Sequence, residues 1–323
     1  MSDLLEVEHL KAKPGTAERG YIAITEMRDG TPTQIPVVLV NGSCEGPTLY
    51  LQAISDGDEL NGLGVIRRVL GRIDPARLCG QVIAVPIVNV HALHAHQAFS
   101  PVDNKKMNRC FPGRRDGTSS QRIAYWLFQN AVLQSDYVVD LHQGGIRPMI
   151  DEVRVRVDRR KRIHRACLEM ARIFGIGYIL DVRGPEGQLA RSAPDEGIPT
   201  IDPELGGCIG WDEGSILKGV TGVENLMKHH GMVSGKPNIP HRQVVVDGFL
   251  SLLSNRGGII DYRAELYDVL QKDDPVADIT DPFGEVLETL VASEESVMWS
   301  KALRPMVATG ECVATLGKNI RHV

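Results

Sequence analysis

The chain has 323 residues, a formal net charge of -5 and a hydrophobic content of 42%. This length suggests one large domain or two domains, and the apolar fraction suffices for a full core. The negative charge gives no reason to expect nucleic acid or an anionic membrane as a partner. The apolar runs fall short of the roughly 18 residues that a membrane-spanning helix needs, so no such helix is predicted.

The cysteines are six in number and scattered, with no CxxC pair: Cys44, Cys79, Cys110, Cys167, Cys208 and Cys312. In a long intracellular chain this distribution is typical of free thiols rather than disulfides. The N-terminus is acidic and lacks the apolar segment of a secretory signal. The sequence therefore predicts a cytoplasmic protein with reduced cysteines.

Apolar segments alternate with amphipathic ones over the first two thirds of the chain. Helices are predicted over 60–70, 119–134, 161–174 and 217–230, the last two ended by Gly175 and Gly231. The predicted strands are 35–40, 48–54, 81–89, 136–142 and 198–205. Strands that alternate with helices predict an α/β fold, with a mixed, mostly parallel sheet and helices on both faces.

Short alternating segments separated by turns replace this pattern after residue 245. They predict a small C-terminal all-β domain over 246–323, beside a main domain over 1–245. The C-terminal segment offers no cluster of metal-ligating side chains. We therefore expect a supporting or assembly role for it.

An acidic cluster, Asp56-Gly57-Asp58-Glu59, stands at the end of a predicted strand. Such a cluster is costly unless a cation neutralises it, and strand ends are where α/β sheets place their ligands. The alternative is a solvated turn that caps the following helix.

A histidine ends another predicted strand, in Asp140-Leu141-His142. Because parallel strands end at one edge of a sheet, His142 can converge with the acidic cluster. Carboxylates and an imidazole suit zinc or another first-row metal. Asp140 shares the strand face of His142, so it either orients the site or is a buried partner.

Four further motifs follow in a fixed order: Pro86-Ile87-Val88-Asn89, Ser100-Pro101-Val102-Asp103, Met107-Asn108-Arg109-Cys110-Phe111-Pro112-Gly113 and Pro203-Glu204-Leu205-Gly206-Gly207. With the acidic cluster and the strand-end histidine, this set resembles the succinylglutamate desuccinylase/aspartoacylase family, relatives of the zinc carboxypeptidases. The resemblance is spread over most of the chain and includes the family's C-terminal β-domain.

The resemblance implies that residues 1–245 form a metal-dependent hydrolase domain. The implied reaction is cleavage of an amide bond in a small N-acylated amino-acid-like substrate. Asp56, Glu59 and His142 would hold one divalent ion, with Zn²⁺ expected first. An esterase or other hydrolase on the same scaffold is one alternative, and a catalytically weak small-molecule-binding relative is the other. The expected partner is a small molecule, without nucleic acid or membrane, and a homo-oligomer is left open.

The resemblance also assigns the catalytic groups. Glu204 would act as general base toward the attacking water. Asn108 and Arg109 would bind the substrate, and the Arg109 guanidinium suits a carboxylate or an oxyanion. His91, His94 and His96 are predicted to be surface or packing residues instead, and the basic segment 154–165 a solvated face.

Two departures from the family pattern stand out. Position 56 is an aspartate where the family places a histidine ligand, which adds one negative charge and favours Mn²⁺ or Fe²⁺ more than usual. The family often carries an arginine before the Ser-Pro-x-Asp segment, where it polarises the scissile carbonyl. No arginine lies between Arg77 and Arg109, so Gln97 or Lys105 would have to replace it.

Overall fold

The structure is a computed structural model, and it describes residues 4–208 and 210–323. The first half of the chain forms, in order, β1 Leu5–Val7, β2 Leu10–Ala12, β3 Thr16–Glu26, β4 Pro32–Asn41, β5 Cys44–Ala53, α1 Asn61–Arg72, β6 Cys79–Val85, α2 Val90–His94, α3 Ser119–Asn130 and β7 Tyr137–Leu141. The next segment forms β8 Glu152–Val155, α4 His164–Phe174, β9 Tyr178–Asp181, α5 Leu189–Asp195, β10 Thr200–Glu204, α6 Glu213–His229 and β11 Val244–Val246.

The C-terminal part is built from strands alone in the described residues. These are β12 Gly248–Leu253, β13 Gly258–Tyr262, β14 Val269–Leu270, β15 Pro275–Thr280, β16 Val286–Val291, β17 Ser296–Lys301, β18 Met306–Val307, β19 Cys312–Lys318 and β20 Arg321–His322. Most of them form two four-stranded antiparallel sheets, ordered β12-β19-β17-β14 and β16-β15-β13-β18. The predicted all-β character of this part is confirmed.

The main sheet has the strand order β20-β11-β9-β8-β10-β7-β5-β6-β4-β3. Its centre is parallel, since β5 pairs with β6 and β7, and β7 pairs with β10. Helices α1, α4 and α6 pack on one face, and α3 and α5 on the other. The predicted α/β class is therefore confirmed, with antiparallel pairings at β4 and β8.

Helix α3 begins at Ser119, as predicted, whereas α6 begins earlier than expected. Helix α6 begins at Glu213, four residues before the predicted start, because the Asp212 side chain accepts a hydrogen bond from the Ser215 backbone N–H. Helix α3 is capped by Thr118, which forms a capping box with Gln121. Helix α4 ends at Gly175, as predicted, and this glycine has the left-handed backbone conformation that commonly ends helices.

The basic segment 154–165 is not a solvated face at its beginning. Arg154 lies on β8 and Arg156 directly after it, and their side chains are only 18% and 11% exposed. Strand alternation places both side chains on the same face of the sheet, where buried carboxylates pair with them. The prediction of a solvated face is wrong for these two arginines.

A disulfide joins Cys44 at the start of β5 to Cys79 at the start of β6. The parallel register sets these residues side by side across 35 positions of sequence, which scattered cysteines do not reveal. The prediction of free thiols is wrong for this pair, while Cys110, Cys167, Cys208 and Cys312 are free.

The C-terminal sheets contact the segment that leads into β8. Trp299 packs edge-on against Tyr178, and Met149 forms a bridge with Ser300. Close by, the Asp151 carboxylate accepts hydrogen bonds from Lys218 and from the Tyr267 hydroxyl. These contacts hold the segment just before β8 against the C-terminal sheets. The boundary at 245/246 stays a prediction, and β20 returns to the main sheet beside β11.

No helix among the described residues is long and apolar enough to span a membrane.

His230, at the end of α6, stacks on the Tyr137 ring with centroids 3.8 Å apart. Burial lowers the pKa of His230 from 6.5 to about 4. Because the folded pKa is depressed, the neutral ring favours folding above pH 6.5, and this contribution is lost as the pH falls toward 4. We predict that His230→Phe, which keeps the stack but cannot take up a proton, loses less stability than the parent over that interval. Urea unfolding midpoints across the interval measure this.

His241→Phe, at an exposed histidine, is the control. It should follow the parent's pH dependence. If His230→Phe follows it too, the buried ring does not contribute to acid unfolding.

Candidate active site

The acidic cluster lies in the tight connection between β5 and α1. Gly57 is required there, because a Cβ atom at this position would lie 2.0 Å from the Ala92 carbonyl carbon. Asn89, at the end of the neighbouring strand, donates from its side chain to the Ser55 carbonyl oxygen at 3.1 Å. Two adjacent strand ends therefore fix the backbone that presents Asp56 and Glu59.

Glu59 and His142 meet in the interior. Glu59 Oε2 lies 2.7 Å from His142 Nδ1 and accepts a hydrogen bond from the Gln143 backbone N–H at 3.2 Å. The Gln143 side chain in turn accepts from the backbone N–H groups of Leu60 and Asn61, at the start of α1. The helix start and the end of β7 are thus held together, with Glu59 and His142 between them.

Asp140 is buried beside His142, which is compatible with both sequence interpretations of this residue. Its Oδ2 lies 3.2 Å from His142 Nε2, and its Oδ1 accepts from Gln52 Nε2 at 2.8 Å. Gln52 Oε1 accepts from the Tyr50 hydroxyl at 2.9 Å. Asp140 is therefore a buried neighbour of the imidazole, whose Nδ1 edge faces Glu59, and its role in orienting the ring stays a prediction.

Asp56 is paired with a lysine that the sequence analysis did not single out. Lys106 Nζ lies 2.7 Å from Asp56 Oδ2, and the two side chains are 30% and 2% exposed. The other oxygen, Asp56 Oδ1, is buried and has no hydrogen-bond partner among the described residues. One carboxylate oxygen is therefore neutralised by the lysine, and the other is free for a ligand.

The two carboxylate oxygens of Glu204 also differ in their partners. Its Oε1 forms an ion pair with Arg154 Nη1 at 2.5 Å, while its Oε2 is buried and without a hydrogen-bond partner among the residues described. Arg154 also binds Glu152 at 2.7 Å, so the guanidinium bridges two buried acids. Glu204 reaches this place because it pairs with His142 across the strand ends of β10 and β7.

The site carries more buried acid than base. Three cationic side chains, Lys106, Arg154 and Arg156, contact the buried carboxylates. The carboxylates are six: Asp56, Glu59, Asp140, Glu152, Asp202 and Glu204. With His142 neutral, as in a metal ligand, six minus three leaves a surplus of three negative charges, which is costly in a low-dielectric interior. A divalent cation would offset most of that surplus.

Two overlapping groups could hold such an ion. Asp56, Glu59 and His142 form the first, with ligand atoms within 4.8 Å of one another. His142 also forms a group with Asp202 and Glu204. Among the described residues both groups keep an unpaired carboxylate oxygen, but arginines pair with both acids of the second group, whereas in the first group only Asp56 pairs with a lysine or arginine. The first group is therefore the better fit for a metal ion.

The pKa values of several groups in the site are raised amid this close packing of buried carboxylates. Burial raises the pKa of Glu59 to about 8, against the opposing effect of His142. Burial also raises the pKa of Glu204, and Arg154 opposes that rise. Burial lowers the pKa of His142, but the carboxylates of Asp140, Asp202 and Glu59 outweigh it and raise the pKa well above its usual value. Without a cation, protons must take up the surplus charge.

Asn108 and Arg109 lie on a short 3₁₀ turn at the mouth of this cluster. The Asn108 side chain is buried, and its Oδ1 has no partner in the described part of the chain. Arg109 is exposed and bends back onto the Asn108 carbonyl oxygen. The backbone beneath is fixed by the Phe111 N–H, which donates to Gly187 O at 3.0 Å, and a Cβ on Gly187 would lie 2.3 Å from the Arg109 carbonyl carbon.

Other candidate residues from the sequence, three histidines and a glutamine, lie outside the cluster. His94 and His96 are exposed, and buried His91 contacts Thr33 Oγ1 at 3.2 Å. Gln97 is exposed and donates to the Phe99 carbonyl oxygen. Among the described residues, the cations that contact the site's carboxylates are Lys106, Arg154 and Arg156. Lys106 could have been suspected, because it stands two residues before Asn108 in the same loop.

The fold and this cluster together define a class of protein, namely α/β enzymes whose functional groups collect at the ends of central parallel strands. Residues 45–230 match the catalytic domain of succinylglutamate desuccinylase/aspartoacylase. The chain belongs to that family.

Individual relatives are similar over nearly the whole chain. An N-alpha-acetyl-L-2,4-diaminobutyric acid deacetylase from Halomonas elongata is 27% identical over 298 residues, which cover 90% of this chain and 87% of that protein. A succinylglutamate desuccinylase from a Silicibacter species has a TM-score of 0.85 at 25% identity, covering 99% and 100% of the two chains. A succinylglutamate desuccinylase/aspartoacylase from Rhodobacter sphaeroides has a TM-score of 0.82 at 25% identity, covering 94% and 95%.

Proposed function

We propose that this protein is a metal-dependent deacylase that hydrolyses the amide bond of a small N-acylated amino acid, a carbon–nitrogen bond other than a peptide bond. The observation that carries the proposal is the convergence of Asp56, Glu59 and His142 beside the unpaired Oε2 of buried Glu204. The curated deacetylase relative supports the reaction class.

Asp56, Glu59 and His142 would hold the divalent ion, with Zn²⁺ expected first and Mn²⁺ or Fe²⁺ as rivals. The ion would supply Lewis acidity toward water and the substrate carbonyl. Glu204 Oε2 takes a proton from the attacking water and then delivers it to the leaving amine nitrogen. A C–O bond forms as the C–N bond breaks, so the products are a carboxylic acid and an amine.

Arg154 prepares Glu204 for this role. It holds Oε1 at 2.5 Å, which leaves Oε2 as the oxygen that exchanges the proton. Burial keeps the carboxylate basic enough to accept a proton, since burial raises the pKa of Glu204. Asp140 holds the imidazole of His142 from the far side.

The substrate's own charge is matched by the loop at the mouth. Arg109 is exposed there and acts electrostatically on Lys106, so it lies near the acidic floor. A planar guanidinium is suited to a carboxylate, which every N-acylated amino acid carries. Asn108 Oδ1, buried and unpaired in the described structure, offers an acceptor for the amide N–H of the substrate.

One observation favours a second candidate, a small-molecule-binding protein with a degraded metal site. A binding site without a metal ion would need another cation to neutralise Asp56, and the Lys106 ammonium already does so. Metal content and turnover distinguish the two candidates, because the second predicts neither.

The test is hydrolysis of a panel of N-acetyl and N-succinyl amino acids, measured as release of the free amine. We expect turnover that a chelator such as dipicolinate abolishes and that stoichiometric Zn²⁺ or Mn²⁺ restores. Ester analogues of the same substrates examine the esterase alternative. Metal-loaded protein that cleaves none of the amides would overturn the proposal.

We also propose the cytoplasm as the compartment, in line with relatives that act on small amino-acid derivatives. The Cys44–Cys79 disulfide is the observation against it, because reducing compartments disfavour such bonds.

A further inference from the structure

We infer that Lys106 is a built-in counter-charge that sets the affinity and selectivity of the metal site for its ion. This inference rests on the proposed function, because it concerns the same cluster. It starts from the 2.7 Å contact between Lys106 Nζ and Asp56 Oδ2.

The charge count is the first step. Asp56 and Glu59 contribute two negative charges, His142 is a neutral ligand, and Lys106 contributes one positive charge beside Asp56. The sum is -1. A ligand set of one carboxylate and two neutral imidazoles would also carry -1. Lys106 therefore cancels the charge that an aspartate at position 56 adds, and the site keeps the preference of an imidazole-rich set for zinc.

Burial is the second step. The Asp56 side chain is only 2% exposed and the Lys106 side chain 30%, so water screens the pair poorly. A surface lysine would have little effect on a nearby cation, since salt and water would weaken it. This lysine repels any ion bound by Asp56 at short range. It also holds Oδ2, so Oδ1 is the oxygen left for the ion.

The third step is that the loop places Lys106 independently of Asp56. The backbone of 106–111 is fixed by the Arg109 N–H to Lys106 O bond at 3.0 Å and by the Phe111 N–H to Gly187 O bond at 3.0 Å. The Asp103 carboxylate anchors the same loop to the start of α3 through Ser120. Replacing Lys106 therefore changes charge without releasing the loop.

The experiment is a competition titration of Zn²⁺ and of Mn²⁺ against a chromophoric chelator, on metal-free protein. Lys106→Met should bind both ions at least about tenfold more tightly, because a repelling charge at contact distance is removed. Its preference for Zn²⁺ over Mn²⁺ should narrow. Lys106→Arg, which keeps the charge, should resemble the parent.

The matched control is Lys105→Met, which removes the same charge one residue away and does not contact Asp56. Its dissociation constants should stay within about threefold of the parent, a small effect on the scale of a short-range charge. The compensating pair is Asp56→His with Lys106→Met. Asp56→His alone leaves a net charge of zero and should weaken Zn²⁺ binding, and adding Lys106→Met should recover at least about tenfold.

The outcomes separate the two proposals. A parent that binds the ion while Lys106→Met has unchanged dissociation constants overturns the inference and leaves the proposed function standing. A parent that binds no ion while Lys106→Met does supports the inference and overturns the proposed function. Failure of both proteins to bind overturns both. A zinc-bound crystal structure with Lys106 still on one Asp56 oxygen and the ion on the other would support both.

Discussion

Replacing Glu204 with glutamine is expected to lower kcat by about 100- to 10,000-fold, the usual contribution of a general base. The amide cannot accept the proton from water, although it keeps the size of the carboxylate. The fold should survive, because Arg154 keeps Glu152 as a partner at 2.7 Å. Steady-state amine release measures the loss, and metal content by elemental analysis should be unchanged.

Glu186→Gln is the matched control, since the Glu186 side chain is 89% exposed. It removes the same charge at the surface and should leave kcat near the parent value. If Glu204→Gln retained activity within about threefold of the parent, far less than a general base contributes, the base would have to be another residue.

Removing Arg154 should have the largest effect on stability. Arg154→Met leaves Glu152 and Glu204 buried without their cation, and breaking a buried ion pair in this way costs about 3–5 kcal/mol. The urea midpoint should fall accordingly. Arg154→Met combined with Glu152→Gln should recover part of the loss, because one buried charge is then removed with its partner.

Arg160→Met is the comparison that makes this result specific. Arg160 also pairs with a carboxylate at 2.8 Å, but its side chain is 86% exposed. Exposed pairs contribute little to stability because water screens them, so the urea midpoint of this variant should hardly move. Equal losses in Arg154→Met and Arg160→Met would mean that burial does not determine the energy of these pairs.

The main sheet, and the residues at the carboxyl ends of its central strands, could be predicted from the sequence, because hydrophobic runs and turn residues report local structure directly. The runs before Asp56 and His142 are buried strands, and parallel pairing of β5 and β7 does bring the two residues together. Glu204 joins them through its bridge to His142. Their roles as ligands and base stay proposals.

The partners of these acids could not be predicted from local pattern. Arg154 is one of several basic residues in a row, and only the pairing of β8 with β10 reveals that it faces Glu204. Lys106 approaches Asp56 from 50 positions further along the chain, through a loop without periodicity. The Cys44–Cys79 bond has the same origin, since strand register is a long-range property. Pairwise contacts between distant segments are what the single sequence lacks.

The backbone anchoring of the 106–111 loop by Gly187 has an evolutionary consequence. Because main-chain contacts hold this loop, its side chains can be exchanged without unfolding the protein. A lineage could therefore acquire a lysine at position 106 first with little loss of folding stability, although metal binding would be weaker until an aspartate at position 56 followed. The reverse order would pass through an intermediate with an uncompensated buried charge. The two positions should thus show sign epistasis, and ancestral reconstructions that carry only one of the two residues would reveal which path is passable.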